Sequence, residues 1–207
     1  MGPWMNYDEL LAEAQARGFD YLDPTRIQRY INQVYLNICE EEQWPFLETT
    51  ETGTPPYTTT AEIRGVDSVV DTTNANILSW MDRRRLLEID RDLTTTGTPV
   101  YWYQTSQSTI NVYPANTAIT LSVHFFKVPT ELTAGSDEPL IPQRWHDLIV
   151  DGVAIRAYKD TDDYEAAGNV QQWYDAQLQQ MRDSVLRHYD GTDFVRTTHT
   201  YESGGLY

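Results

Sequence analysis

Apolar side chains recur with a helical period near the N-terminus and again between residues 24 and 42. The first stripe follows the spacing i, i+3, i+4 and i+7 and is formed by Tyr7, Leu10, Leu11 and Ala14. The second stripe is broader and is formed by Ile27, Tyr30, Ile31, Val34, Tyr35 and Ile38. Asn6 and Asp23 are natural N-caps, and Pro24 suits the first helical position. The pattern predicts helices over about 7–17 and 24–42.

A second helical pattern follows Pro142. The segment 142–158 is apolar almost all round, with Val150, Val153 and Ala154 outside its main stripe, so we expect a deeply buried helix. A short polar break then separates it from a long amphipathic segment over about 162–189. Because the break is short, the two segments predict an antiparallel helix hairpin.

Strand patterns occupy the middle of the chain, over about 62–128. The clearest has period two, with one face formed by Ile119, Leu121, Val123 and Phe125. Segments 100–103 and 109–113 are further strands, and 77–81 and 86–89 are weaker candidates. The Thr-, Pro- and Gly-rich stretch 49–60 has the composition of a loop or an irregular edge segment.

These elements predict an α+β fold that is mostly helical. Two N-terminal helices and a C-terminal antiparallel helix hairpin enclose a small central antiparallel β region, within one domain over residues 1–190. Residues 191–207 lack a helical period but carry aromatic and apolar side chains, which favours an extended arm that orders when it docks on a partner. A frayed terminus is the alternative. The candidate docking residues are Phe194, Val195, Arg196, His199, Tyr201, Leu206 and Tyr207.

Charge and composition narrow the function classes. The 207 residues include 31 acidic and 15 basic side chains, for a net charge of −16, so a large nucleic-acid-gripping surface is not expected. Six Trp and fourteen Tyr are enough for a core and for interfaces. One cysteine, Cys39, excludes a disulfide within the chain. No secretory signal or membrane-length apolar run is visible, so we expect a soluble protein made in the host cytoplasm.

Motifs for catalysis, metals and phosphates are not found in the sequence. The four histidines do not have zinc-ligand spacing, and neither a phosphate loop nor a nucleophile elbow occurs. Asp160, Asp162 and Asp163 resemble the start of a calcium loop, but Glu165 and Gln171 occupy the positions that need Gly and Glu. We interpret Asp162 as a helix N-cap, and we expect no enzyme activity, no cofactor and no metal.

One dense basic run, Arg83-Arg84-Arg85, lies between the two weaker strand candidates. It is interpreted either as a solvated turn balanced by nearby acids, or as a loop tip that contacts a neighbouring subunit or a DNA phosphate.

Several local phrases accompany the order of helix, helix, Thr-rich loop, strands, helix, long helix and tail. They are Trp44-Pro45-Phe46-Leu47, Gly97-Thr98-Pro99-Val100-Tyr101-Trp102-Tyr103, Ile110-Asn111-Val112-Tyr113-Pro114-Ala115 and Pro139-Leu140-Ile141-Pro142-Gln143-Arg144-Trp145-His146-Asp147-Leu148-Ile149-Val150. In this order and spacing, from about Tyr7 to Ser184, the chain resembles the head-to-tail adaptor (connector) proteins of tailed bacteriophages.

The resemblance implies a structural virion protein in the head–tail neck. Such adaptors form a ring, commonly of twelve copies, beneath the portal protein, extend the DNA channel and present a surface to the next neck or tail protein. The implied partners are therefore the portal protein, further copies of the chain, a downstream neck or tail protein and DNA that passes without specific binding. By position alone, the resemblance assigns portal docking to residues 191–207.

Two alternatives stay open from the sequence. The chain is then either another neck or tail structural protein, such as a stopper or tail terminator, or a cell-wall hydrolase that uses two carboxylates. The first alternative predicts a mostly β protein, and the second predicts turnover of a glycan or peptidoglycan.

Overall fold

The computed structural model describes residues 5–186, in which a helix bundle is joined to a curled β-sheet. Its helices are α1 (Tyr7–Ala14), α2 (Pro24–Glu41), α3 (Arg83–Ile89), α4 (His146–Asp160) and α5 (Tyr164–Leu186). Its strands are β1 (Glu48–Gly53), β2 (Tyr57–Thr58), β3 (Ile63–Asp71), β4 (Asn76–Trp80), β5 (Tyr101–Gln104), β6 (Thr109–Tyr113) and β7 (Leu121–Lys127).

The N-terminal helices begin where the caps predict. The Asn6 side chain accepts from the Glu9 amide at 2.9 Å, and the Glu9 carboxylate accepts from the Asn6 amide, which completes a capping box. The Asp23 carboxylate accepts from the Thr25 amide at 2.8 Å, with Pro24 at the first helical position. After α1 a wider turn over Gln15–Phe19 contains Gly18 at φ +98°, a conformation that favours glycine.

The sheet differs from the predicted fold class. Among the described residues it has seven strands in the order β1-β7-β3-β4-β5-β6-β2, and it curls into a nearly closed barrel. The β4–β5 pair is parallel and the other pairs are antiparallel. The expectation of a mostly helical protein with a small antiparallel β region is therefore wrong, because the sheet is a main layer of mixed pairing.

Two local assignments are also corrected. Residues 86–89, a weaker strand candidate in the sequence, belong to helix α3. The Asp82 side chain caps the start of this helix by accepting from the Arg84 amide at 2.7 Å. The Thr-rich stretch 49–60 contains most of β1 and all of β2. β1 forms an edge of the sheet paired with β7, and its threonines suit an extended edge strand.

Glu51 joins the two edges of the sheet. Its carboxylate accepts from the Tyr57 hydroxyl at 2.7 Å and from the Thr60 amide at 2.9 Å, so β1 is tied to the segment that carries β2. Gly53 lies flat against the Tyr57 ring, where an added Cβ would come within 2.0 Å of it. This close approach requires glycine at position 53.

The helix bundle holds the larger apolar core. α4 lies at its centre with most of its residues buried, as its all-round apolar pattern predicts. Gly152 of α4 faces Val34 of α2, and a Cβ at 152 would meet the Val34 Cγ1 at 2.4 Å. A second apolar cluster fills the sheet and includes the four alternating residues of the clearest predicted strand. The two layers thus have separate cores.

Two arginines bind the C-terminal end of α2, one from the sheet and one from the bundle. Arg64 of β3 donates to three backbone carbonyls at the end of α2, those of Cys39 at 2.5 Å, Glu42 at 3.0 Å and Glu40. The last carbonyl groups of a helix have no hydrogen-bond donor within the helix, so Arg64 acts as a C-terminal cap supplied from another element. Arg182 of α5 pairs with Glu41 at 2.6 Å at the same end of α2.

Candidate functional site

The carboxylates that could suggest catalysis serve as backbone clamps. Asp71 is fully buried and accepts from the amides of Thr73 and Asn74, which fixes the turn after β3. Asp137 accepts from the amides of Thr133 and Ala134, and these hydrogen bonds hold its pKa below the ordinary value. Each carboxylate has backbone partners that explain its position without a substrate.

Glu51 is a clamp of the same kind. Burial raises its pKa, but hydrogen bonds from Thr60 and Tyr57 outweigh burial, so the pKa lies below the usual glutamate value. The Tyr57 hydroxyl has a raised pKa of about 12, from burial and from the adjacent Glu51 charge. At neutral pH, the two edges of the sheet are therefore joined by a hydrogen bond from a neutral phenol to an ionised carboxylate.

His146 is buried at the start of α4 and is held as a neutral imidazole. Its Nδ1 accepts from the Met5 amide at 3.2 Å, and its Nε2 lies 2.9 Å from the Ile141 carbonyl, which accepts the remaining proton. Burial lowers its pKa, while the bond to Ile141 and the charges of Glu138 and Asp147 oppose this effect. His146 thus ties the N-terminal segment to the bundle.

The described residues contain no group of three or more His, Cys, Asp or Glu side chains that could hold a metal ion. In the segment that resembled a calcium loop, Asp160 is bound by Arg26 at 2.7 Å and by Tyr30. Asp163 accepts from the Ala166 amide at 3.0 Å, so Asp163, and not Asp162 as predicted, caps α5. Of the four histidines, His188 and His199 lie outside the described residues.

The arginine run Arg83–Arg85 lies on the first turn of α3 and not at a loop tip. All three side chains are exposed, while Leu86 beside them is fully buried against Tyr103 and Tyr113. The ion pairs within residues 5–186 are made by other arginines, namely Arg17, Arg26 and Arg182. The structure therefore presents three cations on the outer surface of the sheet.

Exposed apolar side chains are concentrated in the stretch of sequence that contains this helix. Of the nine large apolar residues that are exposed in the described part of the chain, five lie between residues 77 and 100. They are Ile77 at 78% exposed, Trp80 at 52%, Leu87 at 38%, Ile89 at 65% and Val100 at 52%. β4 and β5 are paired neighbours, and α3 lies between them in the chain and packs through Leu86 on Tyr103 of β5 and Tyr113 of β6. We call β4, α3 and Val100, with Arg83–Arg85, the β4–α3 patch.

The apolar part of this patch was not predicted from the sequence. Residues 77–81 were a weaker strand candidate, and a strand pattern cannot show which face of a strand is covered. The available signal was the combination of Ile77, Leu87 and Ile89 with three adjacent arginines. The predicted docking residues Phe194, Val195, Arg196, His199, Tyr201, Leu206 and Tyr207 lie outside the described residues.

The opposite end of the bundle is acidic. It consists of the turn between α1 and α2 and the turn between α4 and α5, which meet where Phe19 packs edge-to-face on Tyr158 at 5.2 Å between ring centres. Segments 19–26 and 158–165 carry six acidic and two basic side chains. Tyr21 and Tyr164 in these segments are 57% and 65% exposed. We call these two segments the acidic end.

A helix long and apolar enough to cross a membrane is not found among residues 5–186.

Exposed apolar side chains that lie together on a protein surface are typical of a protein that binds other proteins. A model of the SU10 adaptor protein family matches residues 5–198, and the chain belongs to this family of phage head-to-tail adaptors. The resemblance found in the sequence is thereby confirmed, and the family places the chain in the virion neck in a structural role. A search of curated proteins finds no match to the chain.

Proposed function

We propose that this protein assembles as a ring beneath the portal of a DNA-filled head, extends the DNA channel, and offers the attachment surface for the next neck or tail protein. The observation that carries the proposal is the family match, which spans nearly the whole chain. We propose twelve copies, the number implied by the adaptor resemblance.

The charge of the chain supports a channel role. A net charge of −16 per copy is repeated in every subunit of a ring, so acidic side chains that face the lumen repel the DNA backbone. DNA then passes through the ring without being held. The ion pairs within residues 5–186 are made by three arginines, and the chain keeps a large excess of acidic over basic side chains.

We further propose that residues 191–207 form the arm that docks on the portal. The segment is rich in Thr, Gly and Ser, has few charges and carries five aromatic or apolar residues, which suits an element that orders only on a partner. It lies beyond α5, so its removal leaves the bundle core intact.

Deletion of residues 192–207 tests the arm. The truncated chain is expected to keep the melting temperature of the full chain and to lose attachment to portal-bearing heads. Attachment at the full-length level would refute the docking arm, whereas a large fall in melting temperature would show that the segment belongs to the fold. A variant with the segment kept but Arg29→Ala, an exposed α2 side chain, is the matched control and should attach normally.

A further inference from the structure

We propose that the β4–α3 patch of one copy docks on the acidic end of the next copy, an inference that rests on the proposed self-assembly and names its surfaces. The first argument is exposure. More than half of the large exposed apolar side chains of the described chain lie in one region of 24 residues. Exposed apolar patches of this kind mark protein interfaces.

The second argument is the arrangement of charge within the patch. On α3, Arg84 precedes Leu87 by three residues and Arg85 precedes Ile89 by four, so each exposed apolar side chain has an arginine beside it on the helix surface. Arginine and apolar side chains together are typical of interface cores that meet a carboxylate-bearing partner. The patch therefore fits an acidic surface that also offers apolar contacts.

The third argument is that the chain itself carries such a surface. The acidic end has an excess of four carboxylates over cations within segments 19–26 and 158–165, and it exposes the rings of Tyr21 and Tyr164. Tyrosine and carboxylates are favourable partners for arginine through ring stacking and ion pairing. Charge complementarity thus favours a second copy as the occupant of the patch.

The sheet that carries the patch and the acidic end meet opposite ends of α2. Arg26 and Tyr30 in the first turns of α2 bind Asp160 at the acidic end, whereas Arg64 of the sheet caps the last turn of α2. The 18 residues of α2 span about 27 Å at 1.5 Å per residue. The contact is therefore heterologous, and such contacts build a ring when the angle between copies closes.

Charge reversal on each surface tests the docking by sedimentation of the isolated full chain. Variant R84E/R85E reverses the patch, and glutamates in the first turn of α3 suit the helix dipole, so the fold is kept. Variant D20K/E165K reverses two charges of the acidic end, which removes its excess of four carboxylates, and leaves the Asp163 cap in place. Each variant alone is expected to weaken self-association about tenfold or more, because like charges face each other in the first variant and the net attraction is lost in the second.

Restoration distinguishes this contact from a general charge effect. The chain that carries all four changes is expected to associate again, and so is an equimolar mixture of the two double variants, because every contact is complementary when the two variants alternate. The single variant R84E should weaken association, whereas R29E, a reversal of an exposed arginine on α2, should not.

The proposal is overturned if R84E/R85E associates as the wild type does, if the four-change chain is not restored, or if the wild type stays monomeric to about 1 mM. The proposal is also overturned if R84E/R85E self-associates normally but no longer attaches to portal-bearing heads, since the portal would then occupy the patch. Attachment of the wild type to such heads is measured in parallel. If the wild type does not attach to these heads, the result counts against the proposed function, and the self-association data still decide whether the patch docks on the acidic end.

Discussion

Arg64 shows how one side chain can join two layers of a protein. It extends from β3 to carbonyls of three residues at the end of α2. A glycine just after the helix commonly caps the last carbonyl groups of a helix, but here the cap comes from a residue more than twenty positions away in the sequence. The orientation of the sheet relative to the bundle therefore depends on this guanidinium, while the Arg182–Glu41 pair joins α5 to the same end of α2.

Replacement of Arg64 by alanine is expected to lower the free energy of unfolding by about 1–2 kcal/mol. Hydrogen bonds from a charged group contribute about 1.5–3 kcal/mol, and part of this guanidinium is exposed to water. Urea denaturation measures the change. Arg29→Ala on the exposed surface of α2 is the control, and an equal effect of the two substitutions would show that Arg64 does not link the layers.

His146 makes the stability of the bundle depend on pH. Its pKa is lowered in the folded chain, mainly by burial, so the unfolded chain binds a proton more readily. Stability from the neutral imidazole is present above the unfolded pKa of about 6.5 and is lost as pH falls toward the folded pKa. Protonation would also remove the acceptor of the Met5 amide.

The expected result is a steeper loss of stability between pH 7.5 and 5.5 in the wild type than in His146→Gln. Glutamine offers one acceptor and one donor to the same two backbone groups but does not titrate. Urea denaturation across this range, with Glu138 and Asp147 unchanged in both proteins, isolates the histidine. Parallel pH profiles for the two proteins would exclude His146 as the source of the dependence.

At the scale of elements, the bundle is packed around the contact of α4 with α2. Gly152 lets the backbone of α4 approach Val34 more closely than any side chain would allow. The same chain has a second helical glycine, Gly168 of α5, whose Cβ position meets nothing within 4 Å. The two glycines differ in surroundings but not in secondary structure, so they form a matched pair.

Gly152→Ala is expected to lower the free energy of unfolding by about 1–3 kcal/mol, because the added methyl group forces α4 away from Val34. Gly168→Ala is expected to raise it by about 0.5–1 kcal/mol, because alanine is the better helix former and has room. Thermal and urea denaturation give both values. Changes of the same sign would contradict the packing described for α2 and α4.

The helices were predictable to within a few residues because caps and apolar stripes are local signals. Asn6, Asp23 and Pro24 begin their helices as expected. The sheet was underestimated because its strands depend on partners distant in sequence. β3 has two register shifts against β7, near Gly65 and Asp67, which break its period-two pattern. The short helix α3 was mistaken for a strand because seven residues give too little period to decide.

At the scale of the whole molecule, the surfaces were harder to predict than the core. The sequence left Arg83–Arg85 as either a solvated turn or a loop tip that contacts a partner, whereas the structure places it on α3 near Ile89. Which apolar residues stay uncovered depends on the packing of α3 against Tyr103 and Tyr113. Family membership, by contrast, was visible in the order of elements and in local phrases spread over the chain.

The most direct test of the adaptor role is a mixing experiment. DNA-filled heads that carry the cognate portal but lack this protein are incubated with the full chain, and the bound mass and the retained DNA are measured. The account predicts saturable binding of one ring's worth of chains per head, about twelve by the adaptor resemblance, with the DNA retained. A folded chain that does not bind these heads would contradict the account and place the protein at a later position in the tail.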